Sequence, residues 1–197
     1  MKTIVILGST GSIGTNTLDI VERFPDKFRV AGLTAHSNDE KLEDQIRLFK
    51  PRVVALSDTA AAARLRRRCA SLSVEILAGE EGLIQVASTP EAELVISAIV
   101  GGAGLLPTLA AIRSRKHIAL ANKEPMVMAG KLMQDEARRY GVRIFPVDSE
   151  HSAIFQAMQG GRRSEVERIV LTASGGPFRG RTRADLADVL VGLYCAA

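Results

Sequence analysis

A glycine-rich segment near the amino terminus has the residue types of a phosphate-binding loop. Gly8-Ser9-Thr10-Gly11-Ser12-Ile13-Gly14 follows an apolar run and precedes a segment with helical periodicity. In a strand–loop–helix unit, the first glycine permits a tight turn, the second lets the backbone approach a pyrophosphate, and the third lets helix and strand pack closely. The helix amino terminus adds free N–H groups and a partial positive charge. The sequence therefore predicts a dinucleotide site around Gly8, Gly11 and Gly14.

The residues after the second predicted strand favour NADP(H) over NAD(H). NAD-binding proteins usually place Asp or Glu there, where it accepts hydrogen bonds from the ribose hydroxyls. This chain has Ala35-His36-Ser37-Asn38 instead, with no Arg or Lys, and Asp39 already opens the next predicted helix. A carboxylate would repel a 2′-phosphate, whereas the side chains of His36, Ser37 and Asn38 could donate hydrogen bonds to one.

Two carboxylates follow a later apolar run. Asp148 and Glu150 stand two residues apart, and both side chains would leave an extended backbone on the same side. Paired carboxylates repel each other unless a cation joins them, and oxygen ligands suit Mg²⁺ or Mn²⁺. Two surface acids flanking a turn are the alternative. His151 would point the other way, and we expect it to be structural.

A third polar group, Asn122-Lys123-Glu124, also follows a predicted strand. Because ligands lie at the carboxyl ends of strands in a doubly wound sheet, Lys123 could hold a substrate oxygen or phosphate. The alternative is a helix amino terminus with ordinary solvated charges.

Strand-like and helix-like segments alternate along most of the chain, with short loops between them. This alternation predicts an α/β fold, a Rossmann-type doubly wound parallel sheet. We place a domain boundary near Pro146: residues 1–146 form the NADP-binding domain, and the roughly 50 residues that follow are too few to bury a core of their own. The predicted strands cover residues 2–7, 28–35, 53–56, 74–77, 94–99, 118–121, 142–147 and 167–172. The predicted helices cover residues 12–23, 39–49, 59–70, 80–87 and 125–140, with one more after Gly104 and a helix-like stretch at 153–158.

Composition and charge restrict the class of protein. Hydrophobic residues make up 46% and charged residues 24%, which suits a globular protein with an aliphatic core. The arginines at 64 and 66–68 could form a nucleic-acid patch, but no aromatic residues interleave with them, so a solvated helix face is favoured. Glycines and a proline divide the uncharged stretch 94–112, which favours a buried strand and a helix over a membrane span. We therefore expect no nucleic-acid or membrane partner, and the two distant cysteines indicate a reducing, cytoplasmic location.

Five motifs, in matching order and spacing, resemble the 1-deoxy-D-xylulose 5-phosphate reductoisomerase family. They are residues 8–14 (GSTGSIG), 98–107 (AIVGGAGLLP), 121–124 (ANKE), 146–155 (PVDSEHSAIF) and 172–178 (TASGGPF), and the resemblance runs from Met1 to about Asp188. It implies that the phosphorylated sugar 1-deoxy-D-xylulose 5-phosphate is rearranged to an aldehyde. NADPH then reduces the aldehyde to 2-C-methyl-D-erythritol 4-phosphate, in the non-mevalonate route to isoprenoids. A divalent cation would chelate the ketone and the neighbouring hydroxyl oxygen.

The same resemblance implies that residues 147–197 are the beginning of an α+β catalytic domain, and it implies roles for individual residues. Within the loop bounded by Gly8 and Gly14, the cofactor's phosphates would be held by Thr10, Gly11, Ser12 and Ile13. Asn38, with Ser37 beside it, would lie near the adenosine ribose, and Asn122 and Glu124 near the nicotinamide. The metal, Mg²⁺ or Mn²⁺, would bind Asp148 and Glu150. The substrate would bind Lys123, Ser149 and Ser174, the last through its phosphate, and the predicted catalytic residues are Lys123, Asp148 and Glu150. The family is typically homodimeric.

The chain departs from the family's pattern at three places. Pro125 follows Glu124 where the family usually has Ser or Thr, and it would restrict Glu124 to an extended backbone. His36 and Ser37 replace the smaller or more basic pair common in relatives. After Asp188 the family continues with a third metal carboxylate and a lid, so we expect a truncated reading frame with negligible turnover.

Two alternatives stay open. One is a non-enzymatic NADP-binding fragment, or a pseudo-subunit that pairs with a full-length partner through exposed apolar surface. The other is a different Rossmann dehydrogenase acting on a small aldehyde. It would require a catalytic Cys or His downstream, and the chain offers only Cys69 and Cys195 as thiols.

Overall fold

The computed structural model describes residues 1–171, 179–182 and 184–186. The chain divides into two units, Met1–Asp148 and Ser149–Ala197. Strands and helices alternate throughout the first unit. They are β1 Lys2–Leu7, α1 Ser12–Arg23, β2 Phe28–Ala35, α2 Asp39–Phe49, β3 Val53–Leu56, α3 Thr59–Arg68, β4 Glu75–Ala78, α4 Gly79–Ala87, β5 Leu94–Ser97, α5 Leu105–Arg113, β6 His117–Leu120, α6 Glu124–Tyr140 and β7 Ile144–Pro146.

The strands of this unit form one sheet in the order β4-β3-β2-β1-β5-β6-β7. Every neighbouring pair is parallel. From β1 the chain builds outward to β4, then returns across β1 to β5 and builds outward on the other side. The carboxyl ends of β1 and β5 therefore meet where the strand order reverses, which is where doubly wound sheets bind ligands. The predicted fold class is confirmed.

Alternating side chains of the strands form two apolar cores, one on each face of the sheet. Val5 and Leu7 of β1 belong to the core that includes α4, α5 and α6, with Met133 fully buried in it. Ile4 and Ile6 belong to the core that includes α1, α2 and α3. Because helices cover both faces of the central strands, those strands read as near-continuous apolar runs in the sequence.

Local signals fix the ends of several helices. The Asn38 side chain accepts a hydrogen bond from the N–H of Lys41 at 3.0 Å and so caps α2. The Asp58 carboxylate accepts one from the N–H of Ala61 at 2.8 Å and caps α3. Gly141 ends α6 with φ +68°, a left-handed conformation that glycine adopts without strain.

The uncharged stretch 94–112 divides into β5, a 3₁₀ turn at Gly101–Gly104 and most of α5, as predicted. Among the residues that the structure describes, no helix has the length and apolar character needed to cross a membrane. The predicted strand at 142–147 is shorter than expected, since only Ile144–Pro146 pair with β6.

The second unit opens with α7, Ser149–Ala157, which includes most of the helix-like stretch predicted at 153–158. The strand predicted at 167–172 is wrong over 167–171, where the backbone is irregular and Ile169, Val170 and Leu171 are exposed. Thr172 lies outside the described residues. An apolar run forms a strand only where a neighbour satisfies its N–H and C=O groups, and no partner strand occurs in the described part of this unit. The assignment of 147–197 to a catalytic domain stays a prediction.

Candidate dinucleotide-binding site

A cavity opens where β1 and β5 reverse the strand order. Its volume is about 460 Å³, and its lining includes Gly8, Thr10, Gly11, His36, Ser57 and Val100. The other lining residues are aliphatic. A mostly apolar concavity with a few polar groups, placed at a topological switch point, has the character of a nucleotide site.

Two glycines of the predicted phosphate loop admit no side chain. Gly8 has φ +83°, and a Cβ there would lie 2.7 Å from the carbonyl oxygen of Ala98, just beyond β5. A Cβ on Gly14 would lie 2.3 Å from the carbonyl oxygen of Gly8. Both approaches are far shorter than a normal contact. The tight turn expected at the first glycine and the close packing expected at the third are therefore present.

Gly11 differs from these two because the protein leaves room beside it. Its backbone is extended, with φ −77° and ψ 174°, and the atom nearest to an added Cβ would be 3.5 Å away. It precedes α1, whose first turn carries no acidic residue. The first N–H groups of a helix have no helical partner, so Ser12 and Ile13 can donate to an anion at this end.

Helix α2 holds the glycine-rich loop through two side chains one turn apart. The buried Gln45 donates from Nε2 to the carbonyl oxygen of Ser9 at 2.9 Å and accepts from Ser9 Oγ at 2.7 Å. Lys41 donates from Nζ to the carbonyl oxygen of Thr10 at 3.0 Å and to Thr15 Oγ1 at 2.9 Å. These bonds fix the loop backbone immediately before Gly11.

Residues 36–38, at the end of β2, present exposed side chains that can donate hydrogen bonds, and the carboxylate of Asp39 that follows them is paired within the protein. The buried Asp39 pairs with Arg64 Nη2 at 2.9 Å and with Arg68 Nη1 at 2.8 Å. Hydrogen bonds from Arg64, and then from Arg68, hold the pKa of Asp39 well below its usual range. Two guanidinium groups therefore balance its charge, which reduces its repulsion of a 2′-phosphate.

The arginine-rich segment of α3 is engaged in contacts within the protein. Arg64 and Arg68 pair with acids of α2, and Arg66 donates from Nε to the carbonyl oxygen of Ile76 at 2.9 Å. These contacts join α3 to α2 and β4. They give Arg64, Arg66 and Arg68 a structural role that the expectation of a solvated helix face did not include.

Asn122 links the end of β6 to the loop after β5. Its Nδ2 donates to the carbonyl oxygens of Ile99 and Gly101. Glu124, which follows closely, is exposed. The expectation of an extended Glu124 is wrong, because Glu124 already begins α6. Pro125 occupies the first helical turn, where its missing N–H would have had no helical partner in any case.

Lys123 and Asp148, both predicted for the site, come together at the ends of β6 and β7. Lys123 Nζ lies 3.4 Å from Asp148 Oδ2, and the side chains are 59% and 16% exposed, respectively. At the carboxyl edge of the sheet, the ammonium group can donate to an oxygen of a ligand, and the carboxylate beside it can accept a hydrogen bond or coordinate a cation.

The predicted metal carboxylates fall in different units. Asp148 ends the first unit, and Glu150 lies in the first turn of α7. The extended backbone predicted from Asp148 to Glu150 is wrong, because α7 begins at Ser149 and Asp148-Ser149-Glu150 is also a helix-start pattern. The described residues contain no group of three His, Cys, Asp or Glu side chains able to hold a metal. Ser174 lies outside the described residues, so the roles of Ser149, Glu150 and Ser174 stay predictions.

Sequence reasoning missed Lys41, Gln45 and Ser57. Ser57 directly follows β3, so the strand-end rule that indicated Lys123 could have found it. Gln45 stands beside Ile46 on the buried side of α2, and a polar residue at such a position was the available signal. Lys41 gave no signal, since a lysine in the first turns of a helix is usually solvated.

Two family models match the chain. The model described as 1-deoxy-D-xylulose 5-phosphate reductoisomerase matches residues 4–130, and the model of the C-terminal domain of that enzyme matches residues 144–195. The 1-deoxy-D-xylulose 5-phosphate reductoisomerase of Anaeromyxobacter dehalogenans is 54% identical over 96% of this chain and 48% of its own length. That of Chlorobium phaeobacteroides is 51% identical over 96% of this chain and 50% of its own length.

Solved structures give the same result. The reductoisomerase from Zymomonas mobilis in complex with NADPH has a TM-score of 0.85 and 45% identity, over 95% of this chain and 49% of that one. A reductoisomerase in complex with NADPH, fosmidomycin and magnesium has a TM-score of 0.77 and 44% identity, over 79% of this chain and 38% of that one. The chain spans about half the length of the curated relatives it matches. It belongs to the 1-deoxy-D-xylulose 5-phosphate reductoisomerase family.

Proposed function

We propose that this chain forms the NADPH-binding part of a 1-deoxy-D-xylulose 5-phosphate reductoisomerase, together with the beginning of its catalytic site. The reaction rearranges the phosphorylated sugar and reduces the product to 2-C-methyl-D-erythritol 4-phosphate. The observation that carries the proposal is the cavity at the β1–β5 switch point, lined by Gly8 and Gly11. Family members have been solved with NADPH.

The residues around this cavity fit a dinucleotide. Gly11 leaves open space where a pyrophosphate would approach, and the amino terminus of α1 adds N–H donors and a partial positive charge. Bound NADPH supplies the hydride, and the chain's own residues hold and orient it. Those proposed for the phosphates are Thr10, Gly11, Ser12 and Ile13, those for the adenosine end Ser37 and Asn38, and those for the nicotinamide side Asn122 and Glu124.

Lys123 and Asp148 are two of the proposed catalytic residues, and their side chains lie next to each other in the structure. The 3.4 Å separation of Lys123 Nζ and Asp148 Oδ2 supports a shared role. Lys123 would hold a substrate oxygen, and Asp148 with Glu150 would bind Mg²⁺ or Mn²⁺. Ser149 and Ser174 would complete the substrate site. The expected homodimer and cytoplasmic location belong to the same proposal and rest on the family resemblance and the cysteine usage.

A second candidate is an NADP-binding subunit without turnover of its own. It is favoured by the absence, among the described residues, of three side chains grouped to hold a metal ion. Both candidates require NADPH binding, so they differ only in whether the chain catalyses substrate-dependent NADPH oxidation.

The experiment measures NADPH oxidation by the purified chain with 1-deoxy-D-xylulose 5-phosphate and Mg²⁺. Asp148→Asn is the test variant. Asp135→Asn is its control, because that acid pairs with Lys131 on the exposed side of α6. Substrate-dependent oxidation that is lost only in Asp148→Asn would assign the reductoisomerase reaction to this chain. Saturable NADPH binding without oxidation would assign the second candidate, and no binding would refute both.

A further inference from the structure

Lys41 links helix α2 to the glycine-rich loop at two points. Its Nζ donates to the carbonyl oxygen of Thr10 at 3.0 Å and to Thr15 Oγ1 at 2.9 Å. The Thr15 hydroxyl in turn donates to the carbonyl oxygen of Gly11 at 2.8 Å. One ammonium group therefore holds the peptide groups on both sides of Gly11, the first directly and the second through Thr15.

These bonds set the direction of an N–H group at the start of α1. The carbonyl oxygen of Gly11 accepts from both the N–H and the hydroxyl of Thr15, so it faces into the helix. In a planar trans peptide the C=O and N–H groups point in opposite directions. The N–H of Ser12 therefore points out of the amino end of α1, where it has no helical partner. The group that Lys41 holds through Thr15 is thus the group that presents a donor to an anion.

Lys41 also brings to the loop a positive charge that no carboxylate balances. Both of its hydrogen bonds are to neutral oxygens, and among the described residues no acid forms an ion pair with it. Asp19, Glu22 and Asp44 line the same groove between α1 and α2 as Lys41 without pairing with it. An unbalanced charge on a partly buried ammonium group favours the binding of an anion nearby.

The stability of α2 does not account for a lysine at this position. Lys41 lies in the first turn of that helix, where the helix dipole disfavours a positive charge. A glycine-rich loop of this kind ordinarily meets its anion with N–H groups and with the partial charge of one helix amino terminus. Here a full positive charge from a second helix is added to the same stretch of backbone, which strengthens the attraction for an anion.

We propose that Lys41 is a positioning residue for the pyrophosphate of NADPH, which holds the loop around Gly11 and supplies a full positive charge beside it. The proposal rests on NADPH binding as the proposed function. Removing a unit charge close to an anion at a protein surface is expected to weaken binding about tenfold or more. Because NADPH and NADH share the pyrophosphate, the affinity for both should fall by the same factor, and the preference for NADPH should stay unchanged.

The experiment titrates the wild-type chain and its variants with NADPH and NADH and follows nucleotide fluorescence. Lys41→Met removes the charge and the donors and should weaken both nucleotides about tenfold. Lys41→Arg, which keeps the charge, should retain most of the affinity, whereas Lys41→Gln, which keeps only a neutral amide donor, should recover little of it. Lys50→Met is the control, because Lys50 is an exposed lysine at the other end of α2. Thermal unfolding without nucleotide checks that each variant folds.

Two further measurements distinguish a charge at the pyrophosphate from a general effect on the fold. Adenosine 2′-phosphate, which has no pyrophosphate, is used as a competitor of NADPH, and its affinity should be the same in the wild type and in Lys41→Met. Raising the salt concentration should weaken NADPH binding to the wild type, because salt screens the attraction between charges. The same increase in salt should have a smaller effect on Lys41→Met.

The outcomes separate this proposal from the proposed function. A wild-type chain that binds neither nucleotide refutes the proposed function, on which the role of Lys41 rests. If the wild type binds NADPH and Lys41→Met binds it equally well, only the role of Lys41 is wrong. A loss confined to NADPH also overturns that role, because Lys41 would then act on the 2′-phosphate that NADH lacks. Equal affinity of Lys41→Gln and Lys41→Arg, or weakened binding of adenosine 2′-phosphate, would likewise overturn it.

Discussion

Replacing Gly14 with Ala tests how closely α1 packs on the glycine-rich loop. An alanine Cβ at this position would lie 2.3 Å from the Gly8 carbonyl oxygen and 2.5 Å from the Cα of Ser9. Both are backbone atoms, so no side-chain rotation can relieve the contact. Alanine would gain about 1 kcal/mol from helix propensity, whereas overpacking costs about 1–3 kcal/mol and occasionally more.

The short distances put this substitution at the upper end of the overpacking range. We therefore expect a net loss of about 2 kcal/mol in the free energy of unfolding. For a chain of this length such a loss lowers the melting temperature by roughly 4–8 °C. Thermal unfolding followed by circular dichroism measures the change. NADPH binding should be lost as well, because the displaced loop carries Gly11.

Gly11→Ala is the matched control for this experiment. Its backbone is extended, and the nearest atom to an added Cβ would be 3.5 Å away, so no overpacking is expected. Because Gly11 is the N-cap of α1 and alanine is a poorer N-cap residue, the melting temperature should fall by about 2–4 °C at most, less than for Gly14→Ala. NADPH affinity should nevertheless fall, because the methyl group would occupy the space of the pyrophosphate. If Gly14→Ala melts at or above the wild-type temperature, the gain in helix propensity is at least as large as the cost of overpacking, and the expected steric conflict at Gly14 is wrong.

Three further substitutions test other parts of the structure. Gln45→Leu breaks the reciprocal hydrogen bonds with Ser9. It should reduce the free energy of unfolding by about 1–3 kcal/mol and should also weaken NADPH binding. Unaltered NADPH affinity would show that α2 does not position the loop. Asp39→Asn should cost about 1–2 kcal/mol at pH 7. Because the folded pKa of Asp39 is depressed, its contribution is complete above the unfolded value of about 4 and is lost as the pH falls below it, so the variant's stability should depend less on pH in that range. Met133→Ala should cost about 2–5 kcal/mol in denaturant unfolding, and Leu132→Ala, exposed on the same helix, less than about 0.5 kcal/mol; similar losses would contradict the assigned core.

The alternating fold could be predicted because its signals are local. Strands buried on both faces give apolar runs, and cap residues such as Asn38 and Asp58 stand where the helices begin. The same kind of signal wrongly predicted a strand at residues 167–171, because an apolar segment does not reveal whether a partner strand exists. The break at Ala129, with φ −146° inside α6, also had no signal in the helical periodicity.

The site also combines local features, which the sequence predicts, with long-range contacts, which it does not. The glycine-rich loop was predictable because three glycines at fixed spacing perform their roles within one strand–loop–helix unit. The pairing of His36 with Ser57, and of Asp39 with Arg64, depends on the register of β2 against β3 and on the packing of α2 against α3. Such contacts join residues more than 20 positions apart, and a single sequence contains no direct signal for them.

Nucleotide binding by the unmodified chain is the most direct test of its central role. The measurement is a fluorescence titration with NADPH, with NADH in parallel under the same conditions. The account predicts saturable binding with clear preference for NADPH, since the cavity combines the glycine-rich loop with donors in place of the carboxylate that NAD requires. Binding of neither nucleotide, or equal binding of both, would contradict it.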